Sequence, residues 1–142
     1  MNMNLRIWIL TAALAAIVSL ARAEDPPKPA APPPQPKPEH TQDTLEMVKN
    51  NLELKKAILL DVREQEEWDE GHLAPARLVP LSKVQEGLKP DALPRDKIIY
   101  LHCRSGGRAL TAQELLKKEG YDVRALKQGY RDLLKAGFEK AE

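Results

Sequence analysis

Two short, unbroken apolar runs stand out along the chain: Ala57-Ile58-Leu59-Leu60-Asp61-Val62, and Ile98-Ile99-Tyr100-Leu101. Neither alternates with polar residues, which is how strands buried on both faces of a parallel sheet read. Asp61 closes the first. The second starts at Lys97, runs through His102 and ends on Cys103. A third strand is expected over Tyr121 to Leu126, and a short one around Arg77-Leu78-Val79 after a turn. Helical spacing fills the gaps. Leu45, Val48 and Leu52 follow Asp43-x-x-Glu46, a capping-box pattern, and Lys55-Lys56 suits that helix's negative end. The acidic stretch 64–70 predicts a short surface helix with Trp68 turned inward, Gly71 as its stop and its acids on a solvated face. Ser82-x-x-Gln85 predicts a second capping box, with Val84 and Leu88 inward, and Pro90 and Pro94 frame a loop. Ala109, Ala112, Leu115 and Leu116 mark the buried stripe of a helix with Gly120 at its C′ position, and a last helix runs from Gly129 to a stop at Gly137. Strands alternating with helices imply an α/β fold: a small parallel sheet with right-handed crossovers, flanked by helices on both faces.

The first 39 residues do not fit that pattern. Arg6 precedes a run from Ile7 to Leu20 that is apolar apart from Thr11 and Ser19, and Ala21-Arg22-Ala23 is a small-x-small cleavage pattern. This is the layout of a signal peptide, residues 1–23, and its apolar core is short of the roughly 20 residues of a membrane span. Cleavage after Ala23 is expected rather than retention as an anchor, which makes the protein exported, periplasmic or secreted, with no membrane contact after cleavage. Residues 24–39 hold eight of the twelve prolines. Proline lacks an amide donor and fixes φ, so this stretch reads as a disordered, polyproline-like linker to a domain over residues 40–142. A ligand for a proline-binding module is the sharper alternative.

Charge narrows the partners. The chain holds 22 Lys+Arg and 21 Asp+Glu, and loss of residues 1–23 takes away two arginines and no acid. That balance points to no nucleic-acid partner. Export also changes the meaning of the single cysteine. An exported domain normally pairs its cysteines as disulfides, so an odd one is an intermolecular link or a free reactive thiol.

The surroundings of that cysteine favour the reactive thiol. Cys103-Arg104-Ser105-Gly106-Gly107-Arg108 follows a strand and opens a helix. Ligands gather at that edge of an open α/β sheet. The two glycines tolerate positive φ and let successive amides curl into an anion-binding nest, to which the helix N-terminus and two arginines add positive charge. These features favour thiolate over thiol. A merely buried structural cysteine would need neither the glycines nor the arginines.

Three stretches together resemble the single-domain rhodaneses. Leu60-Asp61-Val62-Arg63-x-x-x-Glu67-Trp68 with Gly71-His72-Leu73 is similar to the family's first signature. Cys103 to Arg108 is similar to its active-site loop, and Gly129-Tyr130-Arg131-Asp132 with Ala136-Gly137-Phe138 to its closing signature. The resemblance spans about His40 to Glu142. It implies sulfur transfer through a Cys103 persulfide, from a donor such as thiosulfate to cyanide or a thiol, with no cofactor and no metal. The loop Arg104, Ser105, Gly106, Gly107 and Arg108 would hold the anion, and Arg104 or Arg108 would take the donor's sulfonate. Asp61 and Arg63, at a strand end, would hold the loops through an ion pair or hydrogen bonds, with a role touching substrate as the alternative, and His72 would serve as a turn residue. His102 should point away from the nucleophile if the strand alternates. A sulfur-relay protein is a further expected partner, and a persulfide carrier or binding module is the alternative function. A phosphatase-like reaction is disfavoured, because related phosphatases have five residues between cysteine and arginine and this chain has four. Two departures stand out. Ala74-Pro75-Ala76 replaces the usual Pro-Gly-Ala. Gln128-Gly129 and Leu133 replace paired glycines and a tryptophan, which suggests altered packing or a more open rim.

Overall fold

In the computed structural model, residues 37–89 and 92–142 are described. The proposed signal peptide, most of the Pro-rich linker, and Pro90 lie outside them. The elements run α1 (Leu45–Glu53), β1 (Ala57–Asp61), α2 (Gln65–Glu70), β2 (Ala76–Leu78), α3 (Leu81–Glu86), β3 (Ile98–His102), α4 (Gly107–Lys118), β4 (Val123–Ala125) and α5 (Tyr130–Lys135).

The four strands form one parallel sheet in the order β2-β1-β3-β4. Side-chain alternation splits the core in two. Leu60, Val62, Ile99, Leu101, Cys103, Val123 and Ala125 pack with Val84 of α3 and with Ala109, Ala112 and Leu116 of α4. Ala57, Leu59 and Tyr100 pack on the other face with Val48 of α1 and Leu133 of α5. Helices therefore cover both faces, as the unbroken apolar runs require. The chain steps outward from β1 to β2, then returns to place β3 on β1's other side. That reversal is the topological switch point, where a crevice opens at the carboxyl ends of two neighbouring strands. Asp61 and His102 are register partners there, and Cys103 comes next.

Several expectations shift. Thr44, not Asp43, caps α1, its hydroxyl accepting from the Met47 amide at 3.2 Å. Asp43 instead accepts from the Tyr100 hydroxyl at 2.7 Å and from Arg124 at 2.8 Å, which ties the entrance of α1 to the sheet. Ser82 does not cap α3: Pro80 occupies that position, and Ser82 Oγ donates to Glu64 at 2.8 Å. The capping box lies one helix earlier, between Glu64 and Glu67. Trp68 is only half-buried, and it stacks on His72 with ring centroids 3.6 Å apart. Leu115 is half-buried against the core as expected, and Gln113 is buried as well, its amide bonded to the Ala125 N–H and to Glu39 O. β4 is shorter than 121–126. Ala74-Pro75-Ala76 still turns tightly, the Ala76 amide reaching Leu73 O at 3.0 Å, and Leu133 is fully buried.

Candidate functional site

Cys103 leaves the C-terminal end of β3 and is 1% exposed. The chain then curls through Gly106, whose φ of 91° lies in the left-handed region, and enters α4 at Gly107. Left-handed backbone is costly for a side-chain-bearing residue and nearly free for glycine. The curl turns the Gly106 N–H back on the cysteine, where it donates to Sγ at 3.0 Å. Of the amides expected to converge there, this is the one bonded to the sulfur among the described residues.

The loop is clamped from the far side. The Tyr130 N–H donates to Cys103 O at 2.8 Å. Gly129 lies so close to the loop that a Cβ there would stand 1.8 Å from Arg104 O. The residue that caps α5 therefore has to be glycine.

The two arginines of the loop part company. Arg108 makes a bidentate pair with Glu67, at 2.6 and 2.8 Å. Arg104 is exposed and has no ion-pair partner among the described residues; it lines a cleft of about 650 Å³ with Arg63, Glu67, Tyr130, Arg131 and Lys140. Ser105 and Gly107 are exposed and Gly106 is buried. A second depression, about 460 Å³ and lined by Lys49, Leu52, Pro75 and Phe138 among others, includes none of the loop.

Asp61 and Arg63 form a buried pair on the β1 side. Arg63 reaches the carboxylate through Nε and Nη2, the shortest contact being 2.6 Å, and also donates to Gly71 O at 2.9 Å. Its guanidinium lies 4.2 Å above the Tyr130 ring. The 60s loop, the Gly71 turn and α5 thus meet on one side chain. His72 Nδ1 is 3.1 Å from Trp68 O, in its own turn. His102 lies on the face opposite Cys103 and is fully buried. Its Nε2 is 3.7 Å from Asp61 and neither ring nitrogen has a hydrogen-bond partner; burial lowers its pKa and the Asp61 charge partly offsets this. No cluster of three metal-ligating side chains occurs among the described residues.

Glu67 stands in the first signature but, among the acids of a solvated face, has no assigned role in the sequence. Hydrogen bonds from Arg108 hold its carboxyl down at about 2, against an ordinary 4.5. A depressed carboxylate stabilises the fold above its unfolded pKa, and that contribution disappears as pH falls through the folded one. The pair is about a quarter to a third exposed, so screening keeps it to about 1 kcal/mol. Glu67→Gln is expected to lower stability by that amount at pH 7 and to flatten the loss between pH 4.5 and 2, read by urea titration across pH.

A family model described as a rhodanese-like domain matches residues 44–136. The chain is 31% identical over 78 residues to a putative mitochondrial thiosulfate sulfurtransferase of Schizosaccharomyces pombe, covering 47% of this chain and 55% of that one. It is 32% identical over 79 residues to a putative sulfur carrier protein, YrkF, of Bacillus subtilis, covering 55% of this chain and 42% of that one. The human single-domain sulfurtransferase TSTD1 superposes with a TM-score of 0.58 at 27% identity, over 64% of this chain and 92% of that one. The chain spans about half the length of these two curated relatives.

Proposed function

Because the chain belongs to the rhodanese-like domain family, we propose that it is a sulfurtransferase whose Cys103 carries the sulfur as a persulfide. The observation that carries this reading is the Gly106 amide 3.0 Å from Sγ, at the switch point of the sheet. An N–H fixed on the sulfur before reaction favours negative charge on Sγ, as the attacking thiolate of the first displacement and the leaving thiolate of the second.

The reaction balances in two displacements. The Cys103 thiolate attacks the sulfane sulfur of thiosulfate, a new S–S bond forms, the old one breaks, and its electron pair leaves on sulfite. Cyanide or a thiolate then attacks the outer sulfur, and the pair returns to Cys103 as thiolate. No net oxidation occurs and no cofactor is required. Formation of thiocyanate from thiosulfate and cyanide by the wild-type protein tests this reading; no product above the uncatalysed rate would reject it.

Within that reading Arg104 receives the donor's sulfonate, since Arg108 is already engaged by Glu67. Arg104→Ala is expected to raise the KM for thiosulfate about tenfold, the loss of one charge-assisted contact. Arg108→Ala is expected to leave that KM within about twofold, a small change for a side chain spent on a surface pair. Steady-state kinetics on both variants check it, and the reverse pattern would reassign the two arginines.

A second reading, a persulfide carrier loaded by a partner protein, draws support from the 1% exposure of Cys103 and from the named sulfur carrier among the relatives. Turnover of small donors would then be poor while a protein donor loads the cysteine.

The layout of residues 1–23 supports export, with residues 24–39 as the linker to the domain. A sulfur-relay partner would then meet the domain outside the cytosol.

A further inference from the structure

The segment entering the domain is stitched to the reactive loop. The Thr41 N–H donates to Ala125 O at 2.8 Å, beside the outermost strand β4. Gln113, buried in α4, reaches the same place. Its Nε2 donates to Glu39 O at 2.9 Å, and its Oε1 accepts from the Ala125 N–H at 2.7 Å. Residues 39 and 41 are thereby held, and His40 lies between them with Nε2 3.3 Å from Gly106 O.

Gly106 is the residue whose amide meets the cysteine sulfur. A left-handed glycine has little conformational preference of its own, so its partners fix how its two peptide groups point. On the carbonyl side there are two donors, His40 Nε2 and the Leu110 N–H, each at 3.3 Å. Both contacts are long for an N–H···O bond, so the two share the carbonyl and neither holds it strongly by itself. The His40 ring also walls the glycine in: a Cβ there would stand 2.9 Å from His40 Nε2 and 2.9 Å from Lys127 O.

We propose that His40 is a positioning residue for Cys103: with its proton on Nε2 it donates to the Gly106 carbonyl and keeps the Gly106 amide aimed at Sγ. From the sulfurtransferase reading this needs only that Cys103 is the reacting atom. It makes the junction with the Pro-rich linker part of the reactive loop's support rather than a passive entry.

The chain has one cysteine, so alkylation reports on Cys103 alone. The test measures the rate of alkylation by iodoacetamide at fixed pH on the full chain, for wild type, His40→Phe and His40→Gln. Phenylalanine keeps a ring at the site and removes the donor; glutamine keeps an N–H donor at similar reach. His40→Phe is expected to react about three- to tenfold more slowly, the effect of one hydrogen bond, and His40→Gln within about twofold of wild type. A structural role alone would move both variants together, or would speed alkylation as the loop loosened. Either of those results, or a His40→Phe rate equal to wild type, overturns the proposal. Loading of sulfur from thiosulfate is followed on the same samples. If the wild type takes up no sulfur, the sulfurtransferase reading fails, while the alkylation rates still decide the role of His40.

Discussion

Cys103→Ser is expected to abolish thiocyanate formation while leaving the domain folded. The expected fall is at least about a thousandfold, because a serine hydroxyl does not ionise near neutral pH and cannot carry a sulfane sulfur. The smaller oxygen still accepts from the Gly106 amide, so the loop keeps its internal bond. Thermal unfolding should shift by little, since the change is nearly volume-conserving. Assays of the variant beside wild type check both halves. Retained turnover in a folded Cys103→Ser protein would place the chemistry elsewhere.

Asp61→Ala has the largest expected effect on stability. It strips the buried Arg63 guanidinium of its counter-charge and leaves Gly71 O and the Tyr130 ring as its partners. Breaking a buried pair from one side costs roughly 3–5 kcal/mol, much of it the uncompensated charge. In a domain of this size that lowers the melting temperature by on the order of 15–30 °C. Removing both charges, as in Asp61→Leu with Arg63→Met, should recover part of the loss, because no orphaned ion remains. Thermal melts of the three proteins check the order. A double variant less stable than Asp61→Ala would mean that geometry, not charge, dominates.

The layout of the site was readable from residues because its parts are tied to local rules. An unbroken apolar run says buried parallel strand, and paired glycines after it say tight turn. Alternation along β3 put Cys103 and His102 on opposite faces, and they lie there. What stayed hidden depends on contacts between residues distant in sequence. Glu67 looks like any acid in an acidic run until α2 is brought against Arg108, 41 residues on. Asp43 fits a cap by spacing, yet Tyr100 and Arg124 claim its carboxylate and Thr44 takes the cap. Gln113 breaks an apolar stripe because β4 supplies a partner for its oxygen at Ala125 and the entering segment supplies one for its nitrogen at Glu39. Gly129 stands in the closing signature, but the reason for it is a distant contact: a Cβ there would stand 1.8 Å from Arg104 O. The same Glu67 engages Arg108 and leaves Arg104 as the exposed arginine of the loop, a difference that the sequence did not carry.

These contacts give the site a consistent design. The glycine curl supplies an N–H for sulfur, the Tyr130 N–H holds Cys103 O, and the 60s loop, the Gly71 turn and α5 meet on Arg63. The exposed cations of the cleft, Arg104, Arg131 and Lys140, suit an anionic donor.

Intact mass spectrometry of the mature protein after incubation with thiosulfate tests sulfur capture most directly, with Cys103→Ser as the control. The predicted result is a gain of one sulfur atom on the wild type, reversed by cyanide and absent from the variant. A wild-type mass that does not change, or an equal gain on Cys103→Ser, would contradict persulfide formation at Cys103.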